Sequence, residues 1–112
     1  MKNSLNILWT NANPITAELM VFMYAEASVT RGWWDEVQII VWGATAKLVA
    51  ENKVIQTRLK EIQSSGVIVN ACIACATELG VVEELSALGI TLMPMGQPLT
   101  DILKNNERLL TV

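Results

Sequence analysis

Five short apolar runs alternate with stretches punctuated as helices, and that alternation constrains the fold more than any other feature of the chain. The runs cover residues 5–10 (LNILWT), 36–42 (EVQIIVW), 67–71 (VIVNA), 90–93 (ITLM) and 107–112 (ERLLTV). Short, largely apolar strands separated by helices predict an α/β fold with a mostly parallel sheet covered on both faces. The helices are marked by their ends. Asn13 then Pro14 supplies a cap and a first helical residue whose missing N–H costs nothing. That helix runs to about Arg31, where Gly32 offers a left-handed stop. Residues 44–50 read as a short helical turn. Asn52 caps a helix carrying Ile55, Leu59 and Ile62 on one stripe, ended by Ser65-Gly66. Helical segments follow at 72–79 and at 81–88, the second closing at Gly89, and Pro98 opens a last helix to about Asn105.

With 112 residues, the chain has the length of one domain, expected to span residues 1–112. Its composition is 52% hydrophobic and only 17% charged, against about 25% charged in ordinary soluble domains. Disorder is excluded. So few charges leave apolar surface that another copy of the chain would bury, which predicts a homo-oligomer. The helix from Pro14 is apolar on nearly every side, so burial on more than one face is expected, by a neighbouring helix or another subunit. Trp33-Trp34 reads as core or subunit packing. A net charge of −3 with no basic cluster argues against nucleic acid. The longest apolar run, residues 19–25, falls far short of the ~20 residues that cross a membrane. Lys2 and the short patch at residues 7–9 make no secretory leader, so a reducing cytoplasm is expected, with both cysteines as thiols or reactive sulfur species.

The chain contains no histidine. Ser-His-Asp and Cys-His catalysis, His-ligated metals and histidine switching are all excluded. In parallel sheets the site lies beyond the carboxyl ends of the strands, which selects residues 11–13, 43–47, 72–75 and 94–97. The third of these carries Cys72-Ile73-Ala74-Cys75. At a strand-to-helix junction, free N–H groups and the helix dipole favour a thiolate, and small neighbours admit a partner's sulfur. The alternative is a pair of small buried residues with no chemistry. Zinc needs four ligands, and two cysteines without histidine supply half a site. A dithiol oxidoreductase stays open, although Ile73-Ala74 is not the usual Gly-Pro spacer. Walker and dinucleotide-binding loops are absent, the two aspartates, Asp35 and Asp101, lie away from strand ends, and no cofactor is expected. Asn11, Asn13, Gly43, Thr45 and Lys47 are the candidate substrate-binding residues, placed by position beyond the first two strands. Residues 93–96 (MPMG) read as a flexible apolar wall or as core filling.

The stretches at residues 41–47 (VWGATAK), 66–76 (GVIVNACIACA), 79–81 (LGV) and 96–99 (GQPL) resemble, in order and over nearly the whole chain, the stand-alone DsrE/DsrF-like proteins. The resemblance implies a three-layer α/β/α sandwich with a five-stranded, largely parallel sheet. It also implies assembly into homotrimers or hexamers, and traffic with sulfur donor and acceptor proteins. In sulfur-relay members, TusD-like subunits included, a cysteine after the third strand carries sulfane sulfur as a persulfide, and Cys72 matches that position. Cys75 corresponds to an alanine in TusD-like chains. From the residues themselves, Cys72 should have the better stabilised thiolate. Cys75, a turn onward on the same face, should lie deeper and fill space.

Overall fold

In the computed structural model, which describes residues 3–112, the five runs are strands: β1 (Ser4–Trp9), β2 (Glu36–Val41), β3 (Ile68–Cys72), β4 (Thr91–Met93) and β5 (Leu109–Thr111). Lys2 lies outside the described residues. Every pairing is parallel, in the order β4-β3-β2-β1-β5. Six helices connect the strands: α1 (residues 14–30), α2 (Ala44–Glu51), α3 (Lys53–Ser64), α4 (Ile73–Leu79), α5 (Val82–Ala87) and α6 (Gly96–Lys104).

The caps fall where the sequence places them. Asn13 Oδ1 accepts from the Thr16 N–H, and Asn52 Oδ1 from the Ile55 N–H. Most boundaries fall within one residue of the expected ones, and two differ by more. Helix α6 starts at Gly96 rather than Pro98, because a proline in the first turn gives up an N–H that has no partner there anyway. The last strand holds only three residues, not six, because pairing with β1 covers Leu109–Thr111 alone.

The strand order decides which side of the sheet each helix covers. From β1 to β4 the chain steps in one direction, so right-handed crossovers lay α1 to α5 on one face. The connection from β4 to β5 returns across the sheet and must lay α6 on the other. The side chains agree. Phe22, Val49, Leu59 and Leu85 pack with Ile7, Trp9, Ile39 and Val41 in one core, whereas Met95 and Ile102 pack with Ile40 and Cys72 in a second, smaller one. The result is an α/β/α sandwich with unequal outer layers.

Helix α1 contains a wide π-helical stretch, Ala17–Phe22, that no periodicity announced. Ala17, Val21, Phe22 and Ala25 are buried beneath it, Phe22 meeting the Trp9 ring edge-on at 5.2 Å. Within one chain the expected burial on several faces does not occur: Leu19 is 62% exposed and Met23 51%. Together with Trp33 they border an open groove of about 400 Å³. Trp34, half-buried, donates its indole N–H to the Tyr24 hydroxyl at 3.2 Å, while Trp33 lies exposed under the Arg31 guanidinium.

Candidate functional site at the ends of β3 and β4

Among neighbouring strands, only β3 and β4 send their following helices to opposite faces, α4 to the crowded side and α6 to the sparse one. A crevice opens where adjacent connections part in this way. Cys72 is the last residue of β3 and the cap of α4, with φ −70° and ψ 115°. Strand alternation then fixes its direction. Val69 and Ala71 point into the large core, so Cys72 points to the sparse side, beside Ile40, Met95 and Ile102. Only 6% of Cys72 is exposed. Met95, just before α6, forms the wall that the sequence left open between lining and filling, while Met93 is more exposed.

Cys75, one turn into α4, is only partly buried. The expected order of depth is therefore reversed, because the first turn of α4 emerges from the sheet edge while Cys72 still belongs to the strand. Cys75 packs against the same small cluster as Cys72, and its thiol is close enough to Cys72 and to the Gly43 backbone amide for both to act on its proton. Burial pushes its pKa up, the Gly43 amide pulls it back, and the neighbouring Cys72 adds to the rise. Gly43 reaches that place because the chain leaves β2 with φ 68° and ψ −128°, a conformation that side chains with a Cβ rarely adopt.

The structure thus gathers Gly43, Cys72 and Cys75, and separates the other sequence candidates. Thr45 is fully buried, donating its hydroxyl to the Trp9 carbonyl at 2.8 Å and accepting from the Trp42 N–H at 3.1 Å. It clips the ends of β1 and β2 together. Asn11 Oδ1 accepts from the Asn13 N–H, so both asparagines shape the turn into α1. That turn follows β1, two strand spacings or roughly 10 Å across the sheet from β3. Lys47 is exposed on α2, with no ion pair among the described residues.

One polar feature escaped sequence reasoning. Across the sparse side, Gln38 donates to Asn6, Asn70 donates to Gln38, and Asn6 donates to the Arg108 carbonyl. The only signal was an amide at alternate positions in three strands, which reads equally as solvent-facing polarity. Among the described residues, no three His, Cys, Asp or Glu side chains gather as a metal would require, and no helix is long and apolar enough to cross a membrane.

Comparison with known proteins places this geometry in a wider group. A conserved protein of unknown function from Bacteroides thetaiotaomicron is 44% identical over 98% of this chain and 95% of its own, with a TM-score of 0.96. The ychN protein from E. coli aligns over the full length of both chains with a TM-score of 0.69 at 14% identity, a likeness of fold alone. No family model and no curated protein matches the chain.

Proposed function

The chain belongs to the same family as the Bacteroides protein of unknown function, and within that family we propose that it is a carrier of sulfane sulfur, held as a persulfide on Cys72. The observation that carries this reading is a thiol set at the topological switch point of a parallel sheet, walled by apolar side chains, with a second cysteine packed against the same cluster. The resemblance to DsrE/DsrF-like sequences and the fold shared with ychN support it. In the carrier cycle a thiolate attacks the outer sulfur of a donor persulfide, the donor leaves as a thiol, and an acceptor thiolate later removes that sulfur. Walls of Ile40, Met95 and Ile102 keep the stored sulfur from water and oxidants meanwhile. Donor and acceptor are thiol proteins of a reducing cytoplasm, and neither nucleic acid nor membrane takes part.

Intact-mass measurement and peptide mapping after exposure to a persulfide donor test the proposal. One added sulfur, removed by reductant and mapped to Cys72, is the expected result; no gain in mass would overturn it. A second reading, dithiol–disulfide exchange between Cys72 and Cys75, is favoured by the packing of both cysteines in one small cluster. Recovery of an internal disulfide in place of the added sulfur would select that reading.

The carrier is further proposed to assemble with copies of itself, as a trimer or hexamer. A charged fraction of 17% and the exposed Leu19, Met23 and Trp33 support this. Light scattering that returns a 12.3 kDa particle at micromolar concentration would refute it.

A further inference from the structure

The two cysteines differ in what can reach them. Cys72 is closed in by Ile40, Met95 and Ile102, with 6% of its surface accessible. A donor persulfide carried on a peptide or protein brings bulk that this pocket does not admit. Cys75 stands at the rim, partly exposed, one turn beyond Cys72 and packed against the cluster that encloses it. Ala74 beside it is small and exposed, so little bulk stands next to Cys75 on the first turn of α4. We propose that Cys75 is the entry thiol of the site, taking sulfane sulfur from a bulky donor persulfide and passing it inward to Cys72. The inference rests on the carrier reading above and adds a direction to it.

Both steps balance without an oxidant. First, the Cys75 thiolate attacks the outer sulfur of the donor persulfide. A bond forms from Cys75 Sγ to that sulfur, the donor's S–S bond breaks, and the donor departs as a thiolate that takes a proton from water. Second, Cys72 Sγ attacks the same outer sulfur, now on Cys75. The new bond leaves the sulfur on Cys72, the S–S bond at Cys75 breaks, and the Cys72 proton ends on the departing Cys75. The Gly43 N–H is already placed to stabilise the charge on Cys75 as it leaves. The Gly43 amide offsets part of the burial that opposes this departure, and the closed pocket keeps the sulfur once it has reached Cys72.

Size selectivity separates this proposal from the carrier reading. The rate of sulfur loading onto Cys72 is followed by mass spectrometry with glutathione persulfide as the bulky donor and inorganic polysulfide as the small one. In Cys75→Ser, loading from glutathione persulfide should fall at least about tenfold, while loading from polysulfide stays near the wild-type rate. In Cys72→Ser, sulfur should arrive on Cys75 and be stripped by free thiol much faster than from the wild-type protein. Wild-type loading of Cys75→Ser by glutathione persulfide would overturn the proposal and leave the carrier intact. Equal loss with both donors would also overturn it, because a small donor needs no entry thiol. Absence of loading in every protein, wild type included, would instead remove the carrier reading itself.

Discussion

The two sides of the sheet contrast in cover and in content. One side carries five helices and the larger core, with Ile7, Trp9, Phe22, Ile39, Ile55, Leu59 and Ile62 fully buried. The other carries α6 alone, a small cluster around Ile40 and Met95, a row of three amides, and the Cys72 thiol. A single change of crossover direction produces the difference. The larger core lies where three crossovers stack their helices, and the candidate site lies where the fourth connection leaves the sheet thinly covered.

Truncation in each core is the most direct way to break that contrast. Leu59→Ala removes a fully buried side chain from the larger core and should cost about 3–5 kcal/mol. Ile102→Ala on the sparse side, at 6% exposure in a small cluster that water can reach on collapse, should cost about 2 kcal/mol. Urea midpoints at constant slope measure both. Equal losses would mean that the two sides contribute alike.

Thr45 tests the seam between the crowded face and the site. Thr45→Val keeps the shape but takes the hydroxyl from the Trp9 carbonyl and the Trp42 N–H, which keep only their bond to each other at 3.2 Å, at about 1 kcal/mol. Sulfur loading should be retained, since Thr45 serves the strand ends rather than the thiols. Loss of loading with stability unchanged would make Thr45 part of the site.

Next in size is the clamp on the crowded side, where Arg58 of α3 bonds both carboxylate oxygens of Glu26 on α1, at 3.1 and 2.7 Å. The Arg58 hydrogen bond holds the Glu26 carboxyl below its ordinary value of 4.5, against a smaller opposing effect of burial. A depressed folded-state pKa contributes stability that is present above 4.5 and lost as the pH falls through the lowered value. Both side chains keep about a quarter to a third of their surface in water, so solvent screens the pair and Glu26→Gln should cost less than about 1 kcal/mol. The acid limb of the stability curve should flatten in that variant.

Most of the fold was legible because strand and helix signals agreed along the chain. Asn13-Pro14, Asn52 and the Ile55–Leu59–Ile62 stripe are local, and local signals need no partner to be read. The site was legible only in part. Position at strand ends selected Gly43, Cys72 and Cys75, which the fold brings together, but it selected Asn11, Asn13, Thr45 and Lys47 on the same ground, and these lie in a turn, a seam or on the exposed surface. What separated them was strand order, which sets β1 apart from β3 and makes the β3–β4 border the switch point. No residue encodes that order by itself. The depth of the two cysteines was misread for a similar reason. Helix-start logic placed Cys72 at the rim, whereas strand alternation turns it toward α6.

The smallest expected effect is an alkaline one, and it distinguishes the sparse side by sign. The Cys75 thiol holds its proton more tightly in the folded chain than its ordinary value of 9.0 implies, chiefly through burial. Above about pH 9 the unfolded chain gives up that proton first, so it binds fewer protons than the folded chain and gains relative stability. Folding stability should therefore decline from about pH 9 upward toward the raised pKa, and be unaffected by this group below it. Urea midpoints measured from about pH 8 to about pH 10.5 should fall more steeply for the wild-type protein than for Cys75→Ala. The same raised pKa leaves less thiolate near neutral pH, so alkylation of Cys75 should run slower than that of a free cysteine and accelerate with pH beyond 9. A steeper alkaline decline in Cys75→Ala would mean that the Gly43 amide outweighs burial at this sulfur, and the rim thiol would then be both more ionised and a better leaving group.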